Sequence, residues 1–152
     1  MMLFARLTSI LLLLTLLATA ATDAAAQTRL RLAAANISSL NYQSYPVPGH
    51  GQRILQGIDA DIIMIQEFNI GDATGSIDNS AAKTQAFADS VVGSGAAWYR
   101  ESGAQIPNGI ISRYPILASG EWDDSSVTNR DFAWARIDIP GSKDLWAISV
   151  HL

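Results

Sequence analysis

The sequence predicts a mixed α/β domain in which helices pack on one face of a sheet. Asp61-Ile62-Ile63-Met64-Ile65-Gln66-Glu67 is a continuous apolar run of strand length, the pattern of a strand buried on both sides. Helical spacing occurs on either side of it, and from residue 98 onward the chain is strand after strand with short turns. Strands alternating with helices, followed by a meander, give a mixed sheet with its helices on one side.

The elements follow in order. Met1 to Ala26 has one early positive residue, Arg6, a leucine-rich run from Ile10 to Leu17, and small residues at Ala24-Ala25-Ala26. That is the pattern of a secretory signal peptide cleaved before Gln27, and its apolar run is shorter than the ~20 residues of a membrane-spanning helix. The expected product is residues 27–152, secreted or periplasmic, with no membrane span after cleavage. Arg29 to Asn36 alternates with period two, so Leu30, Leu32, Ala34 and Asn36 share one face, read as the apolar one. Tyr42 to Gly51 is loop, with His50 a loop histidine, and Gln52 to Ile58 is a short helix. Ala81 to Val92 is a second helix, with Ala82, Ala86, Phe87 and Val91 on its buried face and Gly93-Ser94-Gly95 as its stop. Strands are expected at Trp98 to Glu101, Gly109 to Arg113, Ile116 to Trp122, Phe132 to Ile139 and Leu145 to Leu152. Arg113 and Tyr114 secure the turn at Pro115.

Composition excludes several classes. The 152 residues are 49% hydrophobic and only 16% charged, which is not a disordered profile. Without cysteine there is no disulfide framework, thiolate zinc site or cysteine nucleophile. A net charge of -4 argues against a broad basic surface for nucleic acid, though not against local phosphate contacts. Gly-x-Ser-x-Gly is absent, as is a glycine-rich phosphate loop with lysine.

Four segments carry a resemblance. Asn36 closes the first strand; Asp59 to Glu67 reads Asp-Ala-Asp-Ile-Ile-Met-Ile-Gln-Glu; Asn108 to Ile116 reads Asn-Gly-Ile-Ile-Ser-Arg-Tyr-Pro-Ile; and Ser149-Val150-His151-Leu152 ends the chain. In this order and spacing they resemble the endonuclease/exonuclease/phosphatase superfamily, the fold of deoxyribonuclease I, exonuclease III and neutral sphingomyelinases. The resemblance implies a four-layer α/β sandwich and a secreted phosphodiesterase using magnesium, or another divalent cation such as manganese or calcium. It implies that Glu67 binds the metal, that Asn36 helps hold it or orients the phosphate, and that His151 acts at the scissile phosphate. Arg130 sits where some members direct an arginine toward substrate.

The residue types suit that chemistry. Magnesium takes oxygen from one or two carboxylates and keeps several waters. A histidine, with an unperturbed pKa of about 6.5, donates a proton or hydrogen bond near neutrality. Each residue also has a plainer reading: Glu67 as the first solvated residue after a buried strand, Asn36 as a turn cap or the start of the sequon Asn36-Ile37-Ser38, His151 as a structural histidine, Arg130 as a surface ion pair.

The sequence departs from the family pattern in one respect. The Asp-x-Asn motif and the Ser-Asp-His motif that supplies the general base do not occur. The expectation is therefore the N-terminal half of a larger domain, truncated at its C-terminus, whose partner is the missing half and which is inactive or weak alone. The alternative is a catalytically inactive binding module that pairs its exposed last strand with another chain. Nucleic acid and phospholipid headgroups are both open as substrate, with Tyr42, Tyr45, Trp122 and Trp134 as candidate stacking or lipid-facing residues.

Overall fold

A computed structural model of the chain describes residues 29–37, 45–46, 49–71 and 76–152; the signal-like segment and Tyr42 lie outside them. The described elements are β1 (Leu32–Asn36), β2 (Tyr45–Pro46), α1 (His50–Ile58), β3 (Ile62–Gln66), β4 (Ile70–Gly71), α2 (Ala81–Val92), β5 (Ala97–Arg100), β6 (Gly109–Ser112), β7 (Ile116–Trp122), β8 (Phe132–Ile137) and β9 (Leu145–Ser149). The class is mixed α/β, as the alternation of patterns predicts.

Three layers result. The first sheet has strand order β1-β3-β6-β5, with β1 parallel to β3 and the other pairs antiparallel. The meander forms an antiparallel sheet of order β7-β8-β9, and β2 and β4 make a small parallel pair. Alternation along β3 serves two cores. Ile63 and Ile65 face the helices, packing with Leu55, Phe87, Ala88, Val91 and Ile111. Ile62 faces the second sheet, with Ile110, Ala135, Ile137 and Ala147. Both faces of β3 are thus covered, which is why its apolar run is unbroken.

Two expected faces are corrected. On α2 Phe87 and Val91 are buried as expected, together with Thr84, Ala88 and Val92, but Ala82 and Ala86 are exposed. Positions 84, 87, 88 and 91 form one face at helical spacing. Alanine contributes so little apolar area that it does not fix the phase of the pattern. On β1 it is Ala33 and Ala35 that pack against the helix-side core, while Leu32 is 49% exposed. The face of Leu32, Ala34 and Asn36 is the one directed at the second sheet, and β1 is the edge strand there. His50 is the first residue of α1 rather than a loop residue, and its ring Nδ1 meets the Arg53 side chain.

Arg113 acts away from its expected turn. Its guanidinium bonds Asp59 at 2.7 Å and approaches Asp61 at 3.5 Å, tying the end of β6 to the link between α1 and β3. Asp59 closes α1 in the left-handed conformation, φ 49°. The hydrogen bond and charge of Arg113 hold the Asp59 carboxyl below the usual carboxylate range.

Glu101, directly after β5, is only 1% exposed. Burial raises its carboxyl above the ordinary glutamate value, against hydrogen bonds from Asn108 that lower it. A carboxyl with a raised folded pKa holds its proton more tightly in the fold, so stability falls as pH climbs from 4.5, the unperturbed value, through the raised one. The stability advantage of Glu101→Gln over the wild type should therefore grow with pH across that window and level off above it. Urea denaturation at a series of pH values measures this, and parallel curves would contradict it.

Candidate functional site

The site forms where β1 and β3 end side by side. Their parallel register pairs Asn36 with Gln66, so Asn36 and Glu67 lie at the carboxyl ends of neighbouring parallel strands. This is where open α/β sheets commonly place ligands. Gln66 shares the face of Asn36 and donates from Nε2 to Ser149 Oγ at 3.2 Å. Strict alternation would send Glu67 to the opposite, helix side. Glu67 instead adopts φ 57°, in the left-handed region that non-glycine residues rarely enter. The turn places its Oε1 3.0 Å from Asn36 Nδ2, which donates to it. A strained backbone held in this way is a recurring feature of functional sites, at a cost of order 1–3 kcal/mol.

The other side of the site comes from the second sheet. Ser149 Oγ donates to Ile65 O at 2.7 Å, docking the end of β9 across β3. His151, two residues on, brings Nε2 to 3.6 Å from Glu67 Oε1. Its Nδ1 is buried and without a hydrogen-bond partner among the described residues. Arg130, in the connection from β7 to β8, donates from Nε to His151 O at 2.9 Å and from Nη1 to Asn129 Oδ1 at 3.2 Å. Among the described residues its guanidinium makes no ion pair. The four residues singled out in the sequence thus meet in one chain of contacts: Asn36 on Glu67, Glu67 beside His151, and His151 on Arg130.

The donor set at the strand ends is one carboxylate and one amide, both hard oxygen sources. It fits a magnesium-like cation that keeps most of its waters, since such ions are held by only one or two carboxylates. It does not fit a thiophilic metal. Beside Arg130 lies a cavity of about 620 Å³, lined among others by Ser102, Asp123, Asp124, Ser125, Thr128 and Asp131.

Trp122 and Trp134 do not border this site. They stack on each other with ring centroids 5.9 Å apart, and Trp134 meets Trp146 at 5.3 Å. Trp134 pairs with Gly120 and Ile148 on the face of the second sheet opposite buried Ala133, Ala135 and Ile137. Two further polar residues are buried in the connection between β5 and β6: Glu101, which the sequence does not single out, and Asn108, which opens the Asn108 to Ile116 segment without a role of its own. The sequence carries no distinct signal for Glu101, because the charged pair Arg100-Glu101 reads as the solvated end of a strand.

Comparisons with family models, with curated proteins and with solved structures returned no match to this chain.

Proposed function

We propose that this chain carries the metal-binding and phosphate-binding part of a divalent-metal-dependent phosphoesterase site, on a deoxyribonuclease I-like fold in an exported protein. The observation that carries the reading is the convergence of Asn36, Glu67, His151 and Arg130 from four separate segments. The motif resemblance assigns roles to these same four residues on sequence grounds alone.

A bound magnesium would supply charge neutralisation at the phosphoryl group and acidify its own water. Glu67 would hold it, with Asn36 fixing the carboxylate. Arg130 offers a planar guanidinium to the phosphate oxygens. His151 offers Nε2 as a proton or hydrogen-bond donor on the same side. The sequence has no Asp-x-Asn or Ser-Asp-His, so it lacks the groups with which the resembled family activates water. Binding with little turnover is the expected behaviour of this chain.

The cavity beside Arg130 favours a small phosphoester over a polynucleotide. Among the described residues, Asp123, Asp124 and Asp131 line it together with hydroxyls, and no aromatic ring does. Carboxylates repel successive phosphates, and without a ring there is no surface for base stacking. A polyol or cationic alcohol suits such walls.

Calorimetric titration tests the reading. Magnesium and inorganic phosphate should each bind saturably, phosphate binding should be lost in Arg130→Ala, and bis(p-nitrophenyl) phosphate should be hydrolysed near the background rate. Failure of both ligands to bind would refute the proposal. Brisk magnesium-dependent hydrolysis abolished by Glu67→Ala would refute its incompleteness.

A second reading has one observation of its own. β9 is a sheet edge, and Trp146, Ile148 and, just beyond it, Val150 are exposed. An added strand would pair there. Concentration-dependent association with protected amides in residues 145–149 would favour this reading.

A further inference from the structure

We propose that Glu101 and Asn108, buried in the connection between β5 and β6, are positioning residues that hold Arg130 at the site. That Arg130 meets phosphate rests on the function proposed above; that this pair fixes it rests on the hydrogen bonds alone.

The pair closes on itself first. Glu101 N donates to Asn108 O at 3.0 Å, and Asn108 N donates to Glu101 Oε2 at 2.8 Å. Both side chains are withdrawn from water, Asn108 at 0% exposure and Glu101 at 1%. A buried carboxylate is costly unless its hydrogen bonds fix something. What it fixes is Asn108, whose side-chain Nδ2 donates to Asp131 O at 2.6 Å. Gln105 N and Ile106 N both donate to Asn129 O, at 3.1 and 3.2 Å. Arg130 is therefore clamped on both sides, through the carbonyl before it and the carbonyl after it, by one short connection.

The same connection grips the other half of the site. Phe68 N donates to Pro107 O at 2.7 Å, Arg100 Nε donates to Phe68 O at 2.7 Å, and Asn69 Nδ2 donates to Gln105 O at 2.7 Å. Phe68 and Asn69 directly follow Glu67. Residues 101–108 thus form a strut between the carboxylate end and the guanidinium end. An arginine has many rotamers, and one held at its backbone and at Nε loses less freedom on meeting an anion.

Side-chain NMR of the full chain tests the inference. Arg130 Nε–H, assigned by its loss in Arg130→Lys, should be protected from solvent exchange, as should Arg100 Nε–H. The Asn108 side-chain amide should be protected in the wild type as well. Asn108→Ala and Glu101→Leu should each speed Arg130 Nε–H exchange about tenfold or more, the scale of one lost hydrogen bond. Arg100 Nε–H should stay protected. Glu101→Gln keeps an oxygen that accepts from Asn108 N, so it should retain the wild-type rate, a rescue that a merely space-filling role would not show.

Unchanged Arg130 exchange in Asn108→Ala, or an unprotected Asn108 amide in the wild type, would overturn the inference. So would joint loss of Arg130 and Arg100 protection, which would mean general loosening. If Asn108→Ala fails to fold, Glu101→Leu set against Glu101→Gln and the wild-type Asn108 amide still decide. Inorganic phosphate added to the same sample should shift the Arg130 resonance. An unmoved resonance counts against the proposed function, while the exchange rates judge the positioning.

Discussion

Gly109→Ala is expected to destabilise the fold by about 3 kcal/mol, the upper range for forcing atoms into a packed interior. Gly109 begins β6 and pairs with Ile65 on one side and Arg100 on the other. A Cβ there would press into the edge of the Phe68 ring and lie 2.6 Å from Tyr99 O. The ring can turn a little, but the carbonyl belongs to β5, the neighbouring strand. Phe68 is fully buried, packs against Phe87 with centroids 6.0 Å apart, and follows Glu67 directly. Displacing it would also disturb the turn that aims Glu67. Urea unfolding should show a lower midpoint with an unchanged slope. A loss below about 1 kcal/mol would mean that β5 and β6 are less tightly apposed than the Tyr99 carbonyl contact requires.

Glu67 carries the second large effect, with opposite signs for function and backbone strain. Glu67→Ala and Glu67→Gly both remove the carboxylate, and magnesium affinity should fall on the order of 100-fold or more, beyond what loss of a supporting contact costs. The two variants should differ in stability. Alanine inherits φ 57°, which glycine adopts without strain, so the glycine variant should be more stable by about 1 kcal/mol. Elsewhere in a strand alanine is the better residue, so the reversal is diagnostic. Equal thermal stability of the two variants would show that Glu67 is not held in the left-handed region.

What is legible in the sequence follows from what burial does to side chains. β3 is readable because its two apolar faces leave no polar residue between Ile62 and Ile65. Asn36 and Glu67 are readable as strand ends, and the motif spacing attaches roles to them. The turn at Glu67 is not readable, since glutamate, unlike asparagine or aspartate, is not a residue type that marks a left-handed conformation. The buried face of α2 is readable only at its large residues, Phe87 and Val91, while Thr84 and Ala88 are inside and Ala82 and Ala86 outside. Glu101 and Asn108 stay hidden because charged and amide groups are normally exposed, and their burial depends on hydrogen bonds to other segments of the chain. Asn108 and Gly109 do stand together in the Asn-Gly-Ile-Ile-Ser-Arg segment, and their physical roles differ. Asn108 supplies an amide that reaches Asp131, and Gly109 a missing side chain that admits Phe68.

The proposed cation position lies among Asn36, Glu67 and His151, with Arg130 beside it. Manganese, added in small amounts to isotopically labelled protein, broadens NMR signals steeply with proximity and tests this most directly. The side-chain amide of Asn36, the imidazole of His151 and the backbone amides of Glu67 and Phe68 should broaden first, with Glu67→Ala abolishing the effect. Broadening centred instead on Asp123, Asp124 and Asp131, or none at stoichiometric manganese, would contradict that position.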